Sequence, residues 1–279
     1  MQEWTTIIKN KSGWRDFNIK ELVQYKDLIY LFVKRNFTVQ YKQTILGPIW
    51  FIINPLLTTF IYTFIFGGIA GVSTDGVPQF AFYLTSYAIW NYFATCITQT
   101  SNTFTANAGI FGKVYFPRLT MPISTVIFSA INFVVVFIMA LGVIVFYAIR
   151  DGQFPFGVQI LLVPVLVVQA AILGLGFGVI VSSLTTKYRD LAVLVSFGVQ
   201  LWMYATPVVY PVSEMPKAWR MLIMLNPVSP IVHNFRYAVL GSGELELGYW
   251  GISAIVTVIV FIFGVALFNK VEKTFMDTV

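Results

Sequence analysis

Six stretches of apolar residues, each long enough to cross a bilayer and almost free of charge, run through this chain of 279 residues. A crossing helix needs ~20 such residues, because each advances it ~1.5 Å through ~30 Å of hydrocarbon. The stretches are residues 47–70, 80–100, 122–149, 156–184, 191–210 and 249–268. The third and fourth exceed the minimum and are expected to tilt or to project beyond the bilayer. Charged residues make up only 11% of the chain, against ~25% in soluble domains. A chain so poor in charge cannot cover a water-facing surface, so its solvent is lipid. The fold expected is an all-α integral membrane protein with six transmembrane helices.

Lysine and arginine set the orientation. The N-terminal segment carries Lys9, Lys11, Arg15, Lys20, Lys26, Lys34, Arg35 and Lys42. Lys113 and Arg118 follow the second stretch, Lys187 and Arg189 the fourth, and Lys270 and Lys273 the sixth. Fourteen of the eighteen basic residues therefore fall on one side, leaving Arg150, Lys217, Arg220 and Arg236 opposite. The positive-inside rule puts both termini in the cytoplasm. The net charge of +6 thus reports topology, and no nucleic-acid partner is expected. The single Cys96 excludes an internal disulfide and a cysteine metal site. No secretory signal is read in the first 45 residues, which are polar and basic without an apolar core.

Three segments follow: residues 1–45 as a cytoplasmic N-terminal segment, 46–270 as the membrane domain and 271–279 as a cytoplasmic tail. In the first, residues 20–36 place Leu22, Tyr25, Ile29, Phe32 and Val33 at helical spacing, with Lys20, Gln24, Asp27 and Lys34 elsewhere. This is too charged to span. It is expected to lie as an amphipathic helix in the cytoplasmic interface, the alternative being a soluble helix packed on a partner.

Between the fifth and sixth stretches, Ser213 is expected to cap a helix with Pro216 in its first turn, ending near Leu225. Asn226-Pro227 breaks it, and Ser229 is expected to cap a second helix that opens on Pro230 and ends near Gly241. Each piece, at ~18 Å, is too short to span. Both are apolar, so the expectation is a re-entrant helical hairpin on the outer side. Its bent apex must be shielded by protein or face a wet cavity.

Several runs together resemble one family. They are Leu46-Gly47-Pro48-Ile49-Trp50, Asn54-Pro55-Leu56, Ile61-Tyr62 and Phe66-Gly67 in the first stretch. Gly112-Lys113-Val114-Tyr115-Phe116-Pro117-Arg118 with Met121-Pro122 follows the second, and Lys187-Tyr188-Arg189-Asp190-Leu191 the fourth. Pro207-Val208-Val209-Tyr210-Pro211, Asn226-Pro227 and Arg236 complete the set. In this order, over about residues 20–270, they resemble the type-2 ABC exporter permeases for polysaccharides, which include the O-antigen, capsule and teichoic acid permeases. O-antigen and teichoic acid permeases look closer than capsule permeases.

The resemblance implies a homodimer in the bacterial inner membrane, paired with two copies of an ABC ATPase. A polyprenyl-linked polysaccharide would pass between the two permease copies. No cofactor is expected in this chain, ATP and Mg being bound by the ATPase. Gly112-Lys113 is followed by Val114, and Asn107 stands where a phosphate-binding loop needs its first glycine.

On that reading Lys113, Val114, Tyr115, Phe116, Pro117 and Arg118 form a short coupling helix docked on the ATPase, with Tyr115 and Phe116 as anchors. The alternative is a basic loop that only sets topology. Tyr188, Arg189 and Asp190 form a second cytoplasmic contact, Asp190 serving equally as a cap for the fifth helix. The aromatics Trp50, Tyr62, Phe66, Trp90, Tyr92, Trp202 and Tyr204 are candidates to line a sugar channel, since ring faces stack on pyranose C–H faces. Interface anchoring also explains tryptophan and tyrosine in membrane proteins. Tyr210, Pro211, Met215, Asn226, Pro227, His233 and Arg236 belong to the external gate, His233 either gating or standing as a polar group at the apex. Lys34, Arg35 and Lys42 are placed to attract the lipid pyrophosphate, as anionic headgroups would attract them too. Gly174, Gly176 and Gly178 allow close helix packing.

Competing readings are a type-2 ABC permease for a drug or small lipid, a membrane-embedded glycan-modifying enzyme and a scaffold. The enzyme needs convergent catalytic groups. One histidine and a near absence of carboxylates in the spans do not supply them.

Overall fold

The computed structural model describes residues 19–42, 44–111, 113–114, 116–152, 157–188 and 190–275. Among them the fold is all-helical. Helices α1 (Ile19–Gln24) and α2 (Lys26–Tyr41) precede α3 (Trp50–Tyr62), which continues as a wider-wound turn over Thr63–Ile69. Then come α4 (Gln79–Thr100), α5 (Thr103–Phe111), α6 (Thr120–Asp151) and α7 (Leu162–Thr185). Helices α8 (Leu191–Tyr204), α9 (Lys217–Leu225), α10 (Ser229–Leu240) and α11 (Leu247–Phe275) complete the chain.

Four helical segments are long and apolar enough to cross a membrane, namely Gly47–Ile69, Thr120–Asp151, Val158–Thr185 and Leu247–Glu272. Their outward faces carry Leu57, Phe60, Ile138, Phe146, Val165, Ile255 and Ile259, all exposed. Only lipid or another protein can cover such surfaces, so the chain is a multi-pass membrane protein. Helix α4 has 22 residues, ~33 Å, and sits at the centre, packed by α3, α6, α7, α8 and α10. Phe82, Tyr83, Leu84, Ile89, Phe93 and Ile97 are all but fully buried. The buried polar residues of α4 include Ser86, whose hydroxyl donates to the Phe82 carbonyl one turn earlier at 2.9 Å.

Glycines in α7 set the closest approaches. A Cβ on Gly174 would stand 2.7 Å from the Cys96 Cβ, and one on Gly178 would stand 2.6 Å from the Thr100 Cβ, both on α4. Gly176 turns the other way, where a Cβ would meet the Phe261 backbone on α11 at 3.1 Å. Gly264 answers from α11, its Cβ position lying 2.6 Å from the Gly176 carbonyl oxygen. Alternate glycines thus seat α7 against two helices at once.

Several boundaries differ from expectation. The interface segment is two helices broken at Tyr25, and the second runs on to Tyr41. Its expected apolar face does pack inward through Phe32, while Lys26, Asp27 and Lys34 stay exposed. The fifth apolar stretch stops being helical at Tyr204, because residues 205–210 turn back toward the protein. Ser213 caps no helix; its hydroxyl donates to Asp75 at 2.6 Å, and α9 begins at Lys217. Ser229 is the first residue of α10 rather than its cap, with Pro230 second.

Candidate functional site

Helix α8 has 14 residues, ~21 Å, and falls short of the ~30 Å of hydrocarbon. A helix end leaves its last carbonyls without partners, and lipid supplies none. Here side chains satisfy them. Thr206 donates to the Trp202 carbonyl at 2.9 Å, and the Tyr210 hydroxyl donates to the Tyr204 carbonyl at 2.9 Å. Asn226, in the break between α9 and α10, donates to the Ala205 carbonyl at 3.1 Å and to the Thr206 hydroxyl at 3.0 Å. Its own oxygen accepts from the Trp202 indole at 3.0 Å and from the Val228 amide at 3.3 Å. Arg236 on α10 donates to the Pro207 carbonyl, to the Tyr210 carbonyl at 3.4 Å and to Ser86 on α4 at 3.4 Å. Its guanidinium lies 4.4 Å over the Phe82 ring and is 4% exposed. Arg236 therefore faces inward, as a clamp across three elements.

Beside this end lies a groove of about 730 Å³ between α8 and α9. Trp202, Tyr204, Tyr210, Met215, Asn226 and Pro227 line it, joined by Trp219, Leu222 and Ile223. Two channel candidates and four gate candidates thus meet in one place. Pro211 is buried just beyond it. His233 is not at the apex; it sits in α10 with Nε2 2.9 Å from the Glu244 carbonyl oxygen, toward the loop into α11.

The remaining aromatics divide. Tyr62 places its hydroxyl 3.1 Å from the Met203 sulfur and sets its ring edge-on to Phe66, Tyr83 and Tyr87. Trp50 is exposed at the start of α3. Trp90 and Tyr92 are each 4% exposed, packed on Phe93 and Phe133 in the core of the chain. Neither therefore lines a surface of this chain: α4 is enclosed on both flanks.

At the opposite end, Phe116 is 5% exposed and packs on Phe32 at 5.6 Å and Phe111 at 5.8 Å. Phe104 stacks on Phe268 at 4.5 Å in the same cluster. Phe116 thus anchors the chain's own α2 and α5, and among the described residues of the turn Lys113 and Val114 are the exposed ones. The described residues from Lys113 to Pro117 turn and bend; the helix lies upstream, as α5. Arg118 donates to the Glu272 carbonyl at 2.6 Å, with its Nε 3.8 Å from the Glu272 carboxylate, and lies over the Phe111 ring at 5.4 Å. Burial lowers its pKa from the ordinary arginine value, and Glu272 acts against that. Lys187 and Tyr188 are exposed, the ammonium 5.4 Å from the ring centroid. Asp190 holds the position before α8 but makes no side-chain cap bond. Tyr115 and Arg189 lie outside the described residues. Lys34 and Lys42 are exposed, whereas Arg35 donates to Asn107 on α5 at 2.9 Å and ties α2 down.

The family profile described as ABC-2 type transporter matches residues 27–240, from α2 to the end of α10. The chain belongs to the ABC-2 type transporter family. The matched range of this transporter chain takes in the basic turns and the whole hairpin. Two relatives, each named O-antigen export system permease protein RfbA, come from Klebsiella pneumoniae. They are 31% and 30% identical over 252 residues, covering 90% of this chain and 94% of each relative. A third of that name, from Myxococcus xanthus, is 28% identical over 221 residues, 78% of this chain and 82% of the relative.

Sequence reasoning missed Gln169, Trp250, Ser253, Thr206 and Glu272, which hold these regions together. Gln169 alone carried a signal, a polar side chain deep in an apolar stretch.

Proposed function

We propose that this chain is the transmembrane subunit of an ATP-driven exporter that moves lipid-linked polysaccharide of the O-antigen class across the bacterial inner membrane. The observation that carries the reading is the alignment with permeases named for O-antigen export along 90% of the chain. Two copies form the route, and two ATPase subunits bind ATP and Mg and supply the energy. Both termini lie in the cytoplasm, as the distribution of lysine and arginine supports.

The chain crosses six times. Helix α4 makes one crossing under cover of its neighbours. Helix α8 makes another that the turn over residues 205–210 and the hairpin complete. Ser253, six residues into α11, donates to the Pro227 carbonyl. That depth is ~9 Å below the outer end of α11, which supports a hairpin dipping into the membrane. The aromatic groove beside the hairpin offers ring faces to sugar C–H groups. Lys113, Val114, Lys187 and Tyr188 are the surface that meets the ATPase, and Lys34 and Lys42 draw the pyrophosphate of the lipid carrier.

The test is complementation. In a strain lacking its polysaccharide permease, this chain with its cognate ATPase restores glycan at the cell surface, read by antibody or lectin on intact cells. Glycan that stays inside, with the chain inserted at normal level, refutes the reading.

A further inference from the structure

A buried polar chain links α7, α11 and the bend of the hairpin. The Trp250 indole donates to the Gln169 side-chain carbonyl at 2.6 Å. The Gln169 amide nitrogen donates to Ser253 at 2.9 Å and lies 3.5 Å from the Thr257 hydroxyl. Ser253 in turn donates to the Pro227 carbonyl. Gln169 is 7% exposed, Ser253 1% and Thr257 3%.

Every member has a partner, and the order of donors is determined. The indole has only a proton to give, so the Gln169 oxygen must face it and its nitrogen must face Ser253. The Ser253 proton is then directed at Pro227. The Pro227 carbonyl lies in the non-helical break between α9 and α10 and accepts from Ser253; on the re-entrant reading of the hairpin, that break needs such a partner from the protein. The glycine-seated contact between α7 and α11 makes the platform rigid.

We infer that Gln169 is a positioning residue for the external gate: through Ser253 it holds the Pro227 carbonyl, and with it the bend between α9 and α10, against α11. The inference rests on reading the hairpin as the outer gate of an exporter. This chain fastens the bend to α11, while Asn226 and Arg236 fasten the hairpin to the turn over residues 205–210.

The experiment uses the whole permease with its ATPase in lipid nanodiscs, with Met224→Cys on α9 as reporter. Met224 is 1% exposed, so a membrane-impermeant maleimide reaches that cysteine only when the hairpin lifts; native Cys96 is buried and silent. Gln169→Leu keeps the volume and removes both hydrogen-bonding ends. It is expected to speed labelling about tenfold, the scale of removing a buried hydrogen-bond partner. Export in cells falls while the complex goes on hydrolysing ATP. Gln169→Glu, assayed at a pH low enough to keep its carboxyl protonated, keeps one donor and one acceptor and returns labelling toward the parent rate. Ser253→Ala cuts the same chain one link later and shifts labelling in the same direction.

Unchanged labelling in both Gln169→Leu and Ser253→Ala overturns the inference. So does a parallel loss of protein level and ATP hydrolysis in both, which marks a folding role alone. Absence of export by the parent complex refutes the exporter reading by itself, since the labelling comparison does not depend on transport.

Discussion

Asn226 shows how much one side chain does where the backbone runs out of partners. It serves the Ala205 carbonyl, the Thr206 hydroxyl and the Trp202 indole at once. Asn226→Ala leaves the Ala205 carbonyl and the Trp202 indole short of a partner, and is expected to cost about 1–3 kcal/mol. Thermal unfolding of the purified protein in detergent measures it. Arg118 carries a different lesson. Its place in a basic turn marks it as a docking residue, yet its guanidinium is spent on Glu272 at the end of α11 and on Phe111. A charge reversal there attacks the chain's own closure before it reaches any partner. Composition cannot distinguish the two roles, because the partner is 154 residues away in sequence.

Among the elements, four long apolar helices were legible because hydrocarbon thickness fixes their length and lipid fixes their composition. The glycines of α7 were legible as packing residues, but the sequence does not say which neighbour each one meets. Alternation solves it: Gly174 and Gly178 face α4, while Gly176 faces α11. Gly178→Ala drives a methyl into Thr100 and is expected to destabilise by about 1–3 kcal/mol. Gly142→Ala, in open space on α6, is expected to be neutral or to stabilise by up to ~1 kcal/mol through helix propensity. Melting temperatures of the two variants, measured side by side in detergent, check the contrast. The end of α8 and the starts of α9 and α10 were the poorly legible part, whereas α9 ends at Leu225 and α10 at Leu240, beside Gly241, as expected. Ser213 and Ser229 have the chemistry of caps, but Asp75 takes the Ser213 hydroxyl, and the α10 backbone begins at Ser229, one residue before the expected place. The truncation of α8 was hidden for the same reason, since the residues that make it tolerable come from Asn226 and Arg236 far along the chain.

Across the whole molecule, the two ends of the bundle are built differently. One end closes on an aromatic cluster of Phe32, Phe104, Phe111, Phe116 and Phe268, with basic side chains pinned around it. The other closes on hydrogen bonds to broken backbone, with an aromatic groove beside them. This asymmetry suits a chain that is gripped from inside and gated from outside. Cysteine labelling from the two sides of the membrane tests that arrangement most directly, against a background kept quiet by the buried Cys96. In intact cells, an impermeant maleimide should label Lys217→Cys and spare Val114→Cys, and in inside-out vesicles the pattern should reverse. Labelling of Val114→Cys from the outside, or of both positions from one side, would contradict the account.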